Sequence, residues 1–385
     1  MESYGARHAD AVAVKGGVWI ALASPVSLSP PPVRYAALLC LVLPHADGFV
    51  RVHEIMGADN AEADNIPLYV IVCLLRQSAI AVTLTRLTHH VLVWLVRVTA
   101  WSPAVVFTAT STLIHEVIYW GFYLFSRLDA RYGLARCYRI DAIPARQLHH
   151  SQGDPARIAQ WHAERETPES LVSWAATCAL VNHLVLQPMT LYWCHVWFAG
   201  DRATFLPDAP VTYTTSEKFL GFILVLVANE VATYGVHRLF HSAAFFPWLH
   251  KHHHNFVKVD ILGSEHAHVL EHLLGTQLSI ATVCASTSAD MASWLVFVSM
   301  KCWETCELHS GYDFRGTMLG RLGLFNGFRC VYHHWHHAGH IHSNFGSFMF
   351  LDYWLGTMRS FLDDVKEKRR MRSAVTKLGC ACVEQ

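Results

Sequence analysis

An all-α integral membrane bundle, with about four to six membrane helices and a histidine-rich helical cap on the cytosolic side, is the fold this sequence predicts. Three observations predict it. Of 385 residues, 52% are apolar and only 16% charged, more hydrophobic surface than water-soluble domains of this size need. Apolar stretches close to the ~20 residues that a helix needs to cross a bilayer recur along the chain. Histidine occurs 27 times, with sixteen of these between His237 and His342 and only eleven in the first 236 residues.

In chain order, residues 1–65 form a mixed leader, proline-rich up to residue 33, that is expected to be poorly ordered. Residues 66–236 supply the membrane helices, through apolar stretches at about 67–85, 103–125, 171–199 and 218–236. The first of these carries Arg76 and Gln77 and is the least regular. In the second, His115 and Glu116 are costly in lipid and are expected to act as a polar anchor or a buried structural pair. Residues 237–358 hold the histidine boxes, and the apolar run 273–308, broken near Ser286 to Asp290, reads as a tight helical hairpin. Residues 359–385 form a basic tail.

Charge sets the topology. Arg127, Arg131, Arg136, Arg139 and Arg146 cluster in one segment, and residues 366–372 read Lys-Glu-Lys-Arg-Arg-Met-Arg, so the positive-inside rule places both in the cytosol. Two further crossings return the chain to that side at residue 237, and the hairpin returns it again at residue 309. All dense histidine segments therefore share one membrane face. The formal net charge of zero gives no reason to expect a nucleic-acid partner. Eleven cysteines with no C-x-x-C pair argue against a disulfide framework and against a thiolate zinc site.

His237 and His241 stand four residues apart at the end of an apolar helix, so both rings project from one face. His250, His253 and His254 form an H-x-x-H-H spacing that can divide between two nearby ions, and His333, His336 and His337 repeat it about eighty residues later. A lone histidine is usually an ordinary polar residue, but three clusters with ligand spacing on one membrane side point to metal. His252 and His334 point elsewhere on a helix; His266, His272, His340 and His342 are left open. Eight or more imidazoles exceed what one ion takes, which implies a dinuclear centre. Zinc would need three or four ligands and would perform hydrolysis, whereas iron with an open position binds and reduces oxygen. Carboxylates able to orient the rings are Glu230, Glu265, Glu271, Glu307, Asp313 and Asp352, with Glu230, Glu271 and Asp313 preferred.

These residues resemble the sterol desaturase and fatty acid hydroxylase superfamily, in particular its C-4 methylsterol oxidase branch, from about residue 107 to 358. Leu113-Ile-His115-Glu116-Val-Ile-Tyr119 resembles an early helix of that family, and Asn229-Glu230 through His237-Arg-Leu-Phe-His241 its first box, with Glu230 where Asp is usual. Trp248-Leu-His250-Lys-His-His253-His254 resembles the second box, and Glu265-His-Ala-His268-Val-Leu-Glu271 the element that follows it, with Val269 where Pro is usual. His309-Ser-Gly-Tyr-Asp313-Phe314 is similar to the sterol-oxidase signature. His333-His-Trp-His336-His337 and Asp352-Tyr-Trp-Leu-Gly356-Thr357 resemble the third box and its trailer. The resemblance implies a di-iron site ligated by His237, His241, His250, His253, His254, His268, His309, His333, His336 and His337. It further implies O2 as co-substrate, electrons from NAD(P)H through cytochrome b5 or a similar carrier, residence in the endoplasmic reticulum membrane, and oxidation of a sterol C-4 methyl group. Alternatives within the superfamily are a fatty acid or sphingolipid hydroxylase and a sterol desaturase; outside it, a non-catalytic membrane scaffold or a histidine-rich metal transporter, whose ligands would sit mid-membrane on broken helices.

Overall fold

The structure, a computed structural model, describes residues 65–140, 167–199, 214–278 and 290–377, together with 156, 157, 160 and 280. The chain divides into two units between Leu43 and Pro44, and every described residue belongs to the second. The expected leader, apart from Asn65, lies outside the described residues. Among those residues all elements are helical apart from one isolated bridge between Arg139 and Tyr312.

The long helices start where the sequence supplies caps. In α1 (Ile66–Thr99) the Asn65 side chain accepts from the Leu68 amide, and Pro67 occupies the first turn. In α2 (Pro103–Tyr132) Ser102 caps the start and Gly133, at φ +68°, ends it in the left-handed conformation that glycine adopts without strain. Next, α3 (Glu169–Val181) runs through a π-helical turn, Asn182–Leu186, into α4 (Gln187–Cys194). Pro188 has no amide hydrogen to give the preceding turn, and the wider π turn absorbs that break while rotating Asn182 and His183 inward, where both are buried. Thr214 and Glu217 form a reciprocal capping box at the start of α5 (Thr215–Phe240). Asp290 caps α6 (Met291–Leu308) and also pairs with Lys218, tying the beginnings of α5 and α6 together.

Three helices among the described residues are long and apolar enough to cross a membrane: α1, the continuous stretch Glu169–Trp197, and α5. Their outer faces show Leu87, Trp94, Leu184, Trp197, Leu220 and Leu224, an apolar exterior that water would penalise and lipid accepts. α2 also turns Leu113, Val117 and Leu124 outward, but His115 and Glu116 interrupt its apolar run. α6 is different. Its 18 residues are enclosed, with Trp294, Leu295 and Phe297 about 1% exposed, and it packs against both α1 and α2. The second arm of the expected 273–308 hairpin is thus the core of this helical membrane bundle; the hairpin's tip at 281–289 lies outside the described residues.

Beyond α6, α7 (Gly327–His337) carries the third histidine box, and the expected basic tail begins as α8 (Arg359–Lys377), which sends Phe361 and Val365 into the core beside Tyr332 and Trp335. Arg329 of α7 is 1% exposed; it pairs with Glu304 of α6 and donates to the Ser347 carbonyl at 2.9 Å. Removing one member of a buried ion pair leaves the other charge uncompensated. Arg329→Ala is therefore expected to destabilise the protein by ~3–5 kcal/mol, read as a markedly lower melting temperature in detergent. A melting temperature within a degree of wild type would show that the pair does not anchor α7.

Candidate metal centre

The distant histidine boxes converge into two adjoining groups. His237, His241, His250, His254 and His336 form one, His253, His309, His333 and His337 the other, and within each group one donor nitrogen per residue lies within 4.8 Å of the rest. The two H-x-x-H-H boxes are used in mirror fashion. From the second box the i, i+4 pair, His250 and His254, joins the first group while His253 joins the second. In the third box, His333 and His337 serve the second group while His336 crosses to the first. His254 and His337 stack across the divide with ring centroids 4.4 Å apart.

The local folds that aim these rings differ. His237 and His241 occupy the last turn and the cap of α5, and the third box is α-helical, as the spacing predicts. The second box is not one α-helix. It straddles a π-helical turn, Phe246–His250, and a 3₁₀ turn, His253–Asn255, separated by Lys251 and His252, and His252 is left exposed. His309 caps the end of α6.

Hydrogen bonds fix which nitrogen faces inward. His253 Nδ1 donates to the Gly263 carbonyl at 3.0 Å, His309 Nδ1 to Thr305 at 2.8 Å, His237 Nδ1 to Phe345 at 3.3 Å and His336 Nδ1 to His340 at 3.3 Å. His333 Nδ1 meets Asn344 Oδ1 at 3.0 Å and His250 Nδ1 meets Glu271 Oε1 at 2.7 Å. Carbonyl oxygens carry no hydrogen, so the rings set against them keep their proton on Nδ1 and present a lone pair on Nε2, and a Glu271 carboxylate fixes His250 in the same way. Those Nε2 atoms then face one another: His237 and His250 at 3.1 Å, and His309 and His333 at 3.1 Å. Two lone pairs at that distance repel unless a cation lies among them. The Nε2 atoms of His336 and His337 are moreover buried with no hydrogen-bond partner. The donor set therefore fits metal, and its all-imidazole character suits zinc, copper, iron or nickel.

Burial, followed by the charge of neighbouring imidazoles, holds these rings neutral, the form that ligates. It pushes His241 down to about 2 and His253 to about 3, and burial alone takes His333 to about 4. Burial also raises the Glu271 carboxyl well above its ordinary value. A cation on the far nitrogen of His250 would offset that by favouring the carboxylate.

Behind the rings stands a second set of acceptors. Glu230 takes the Phe348 amide at 2.6 Å, and Asp352 takes the Phe345 and Gly346 amides at 3.1 and 2.8 Å. Together they shape the loop whose Phe345 carbonyl holds His237. A Cβ on Gly346 would collide with the Glu230 carboxylate, so only glycine lets the loop approach this closely. Asn344, at φ +56°, uses the left-handed conformation that asparagine tolerates to turn its side chain toward His333.

Two of the expected site residues are placed elsewhere. His268 belongs to neither group: its Nδ1 accepts the Leu270 amide at 3.2 Å and caps the turn Val269–Glu271. Asp313 does not reach a ring, because Arg315, two residues on, holds both of its oxygens at 2.9 Å. Of the histidines left open by the sequence, His272 turns to Glu265, His340 stacks on Trp335, His266 lies buried against Phe256, and His342 is exposed. His334 is buried outside both groups.

A cavity of about 190 Å³ opens beside the groups, lined by His237 and His333 and by Leu191, Val298, Cys302 and Phe345 among others. A helical membrane bundle with paired imidazole groups is the class that fold and site define. Within it, residues 222–357 match the fatty acid hydroxylase family model, the very segment that supplies both groups. The chain is 25% identical over 261 residues to the C-4 methylsterol oxidase of Schizosaccharomyces pombe, covering 65% of this chain and 76% of that protein. It is 29% identical over 168 residues to methylsterol monooxygenase 1-1 of Arabidopsis thaliana, covering 41% of this chain and 55% of that protein. It is also 26% identical over 271 residues to a very-long-chain aldehyde decarbonylase of Oryza sativa, covering 68% of this chain and 88% of that protein. Against the Arabidopsis relative the chain thus spans little more than half of the relative's length. No solved structure gives a significant match.

Two outcomes follow from this geometry. Glu271→Ala removes the acceptor that orients His250 and should weaken metal binding ~10–100-fold, measured by competition with a chelator; undiminished affinity would show that Glu271 does not position the ring. Acid should also destabilise the fold. The ordinary histidine value is 6.5, so below it the unfolded chain takes up protons that the buried rings refuse until about pH 2–4. Stability is therefore lost progressively as pH falls from 6.5. Melting temperatures should drop between pH 7.5 and 5; an unchanged value would contradict burial of neutral imidazoles.

Proposed function

We propose that this chain is a non-haem di-iron membrane oxygenase that oxidises an unactivated C–H bond of a lipid, the C-4 methyl group of a sterol, in sterol biosynthesis. The observation that carries this reading is the pair of adjoining imidazole groups, with His237 of one and His333 of the other lining a single cavity. Bound iron would supply the reduction of O2, with electrons from NAD(P)H passed through cytochrome b5 or a similar carrier. The chain's own work is positional. Acceptors on Nδ1 hold rings such as His253 and His309 in place, and the cavity, with Leu191, Val298 and Phe345 in its wall, admits the reacting end of a lipid while the remainder stays in the bilayer. The relatives named for methylsterol oxidation support the sterol as substrate. Sterol synthesis and the basic segments on the histidine side support residence in the endoplasmic reticulum membrane, with the groups facing the cytosol. Direct ligands on this reading are the nine residues of the two groups, with Glu271, Glu230 and Asp352 holding them in place directly or through the 345–348 loop.

A second reading has its own support. The aldehyde decarbonylase match runs over more of this chain and more of the relative than either sterol-named match, which favours a long-chain aliphatic substrate in the same cavity. Expression in cells that lack C-4 methylsterol oxidase separates the two. Wild type should clear the accumulated dimethylsterols, and His253→Ala, equally abundant in the membrane, should leave them untouched. Dimethylsterols persisting beside metal-loaded wild type would sink the sterol reading in favour of the aliphatic one, and turnover by His253→Ala would remove that residue from the reaction.

A further inference from the structure

A third group of donors lies apart from the paired clusters. His115 of α2, His183 in the π turn after α3, and Glu265 each offer one donor atom, all within 4.8 Å of one another. His183 is fully buried and Glu265 is 8% exposed. Around them, Glu116 Oε1 lies 3.1 Å from His183 Nδ1 and 3.4 Å from His115 Nδ1, His272 Nδ1 lies 3.5 Å from Glu265 Oε2, and Asn182 donates to that oxygen at 3.2 Å.

Two independent facts point to an ion. With Nδ1 donating to Glu116, His183 presents a lone pair on Nε2, which is buried without a hydrogen-bond partner. It faces Glu265 Oε2 at 3.8 Å. That is too long for a hydrogen bond but suits two donors each ~2.0–2.2 Å from a shared ion. A lone pair aimed at a carboxylate oxygen is repulsive until a proton or a metal cation lies between them, and 3.8 Å is longer than a proton bridges. The second fact is charge. Glu116 and Glu265 bring two carboxylates into the bundle, and none of their hydrogen bonds or ion pairs among the described residues comes from lysine or arginine. Glu265 is buried and the Glu116 side chain is 23% exposed; with no lysine or arginine beside them, one divalent cation bound between neutral rings would balance both carboxylates.

We infer that His115, His183 and Glu265 form a third metal site, distinct from the paired groups, that takes a divalent ion such as zinc through two imidazoles and one carboxylate. His115 and Glu265 also line the cavity that His237 and His333 line, so this ion borders the same space. Three protein donors leave a coordination position that an oxygen of the cavity's ligand can fill. The site ties α2, the turn after α3 and the segment Ile261–Glu265 together at one point.

Metal content reads this inference without any turnover, so its failure is separate from failure of the oxygenase reading. The full chain, purified in detergent and loaded with zinc, should carry three ions by mass spectrometry, and near-isosteric Glu265→Gln and His183→Ala should each carry two. A wild-type count of two, or three ions retained by Glu265→Gln, would overturn the site. If both variants fail to fold, anomalous diffraction from zinc-loaded wild-type crystals decides. A peak between His183 and Glu265 supports the site, and peaks confined to the two imidazole groups overturn it.

Discussion

Nitrogen lone pairs pointed at one another are the constraint on which the rest of this structure depends. Neutral imidazoles, six of the nine with Nδ1 set against an oxygen behind it, converge Nε2 first at separations near 3.1 Å. Such an arrangement opposes folding in the absence of a cation, and a cation that binds the folded chain more tightly than the unfolded one would favour it. The helices that deliver the rings share almost no sequence neighbourhood: α5 ends at Phe240, α6 at Leu308 and α7 at His337. Their common requirement is to end at one place with a fixed face inward.

That requirement explains the rigidity built around the rings. Arg329 locks α7 to α6 through Glu304 and to the 345–348 loop through the Ser347 carbonyl. Glu230 and Asp352 draw the amides of the same loop inward, and its Phe345 carbonyl then orients His237. Buried charge is costly in a bundle of this kind. Here Glu230, Asp352 and Glu307 are met by backbone amides, Glu304 by a guanidinium and Glu271 by a ring whose opposite nitrogen faces the site.

Much of this was legible in the sequence. The i, i+4 pairs His237/His241 and His333/His337 could be read as helical because α5 and α7 do carry them on one face. The enclosure of α6 was less legible. Its apolar composition is that of a lipid-facing helix, and only tertiary packing against α1 and α2 turns it into core. The second box kept its ligand spacing while abandoning the α-helix, since π and 3₁₀ turns on either side of Lys251 redirect the rings. Local hydrogen bonding drew other side chains away: His268 caps the short turn after it, and Asp313 is taken by Arg315 two residues on. His183 escaped notice altogether. The signal that could have found it was the polar pair Asn182-His183 within an apolar stretch, with Pro188 nearby to widen the helix there.

The cavity gives these parts one direction. Its wall is shared by His237 and His333 from the paired groups and by His115 and Glu265 from the third, so any molecule in it meets donor sets of two characters. One set is made only of neutral imidazoles and is charge-deficient without its ions. The other carries one carboxylate donor, Glu265, with Glu116 behind its rings. A cation beside the carboxylates is largely neutralised and holds a polar group without strongly polarising it, whereas ions among imidazoles alone keep their charge and with it their pull on electrons. With ions in both, ligand charge would put the chemistry at the imidazole side and the anchoring at the carboxylate side.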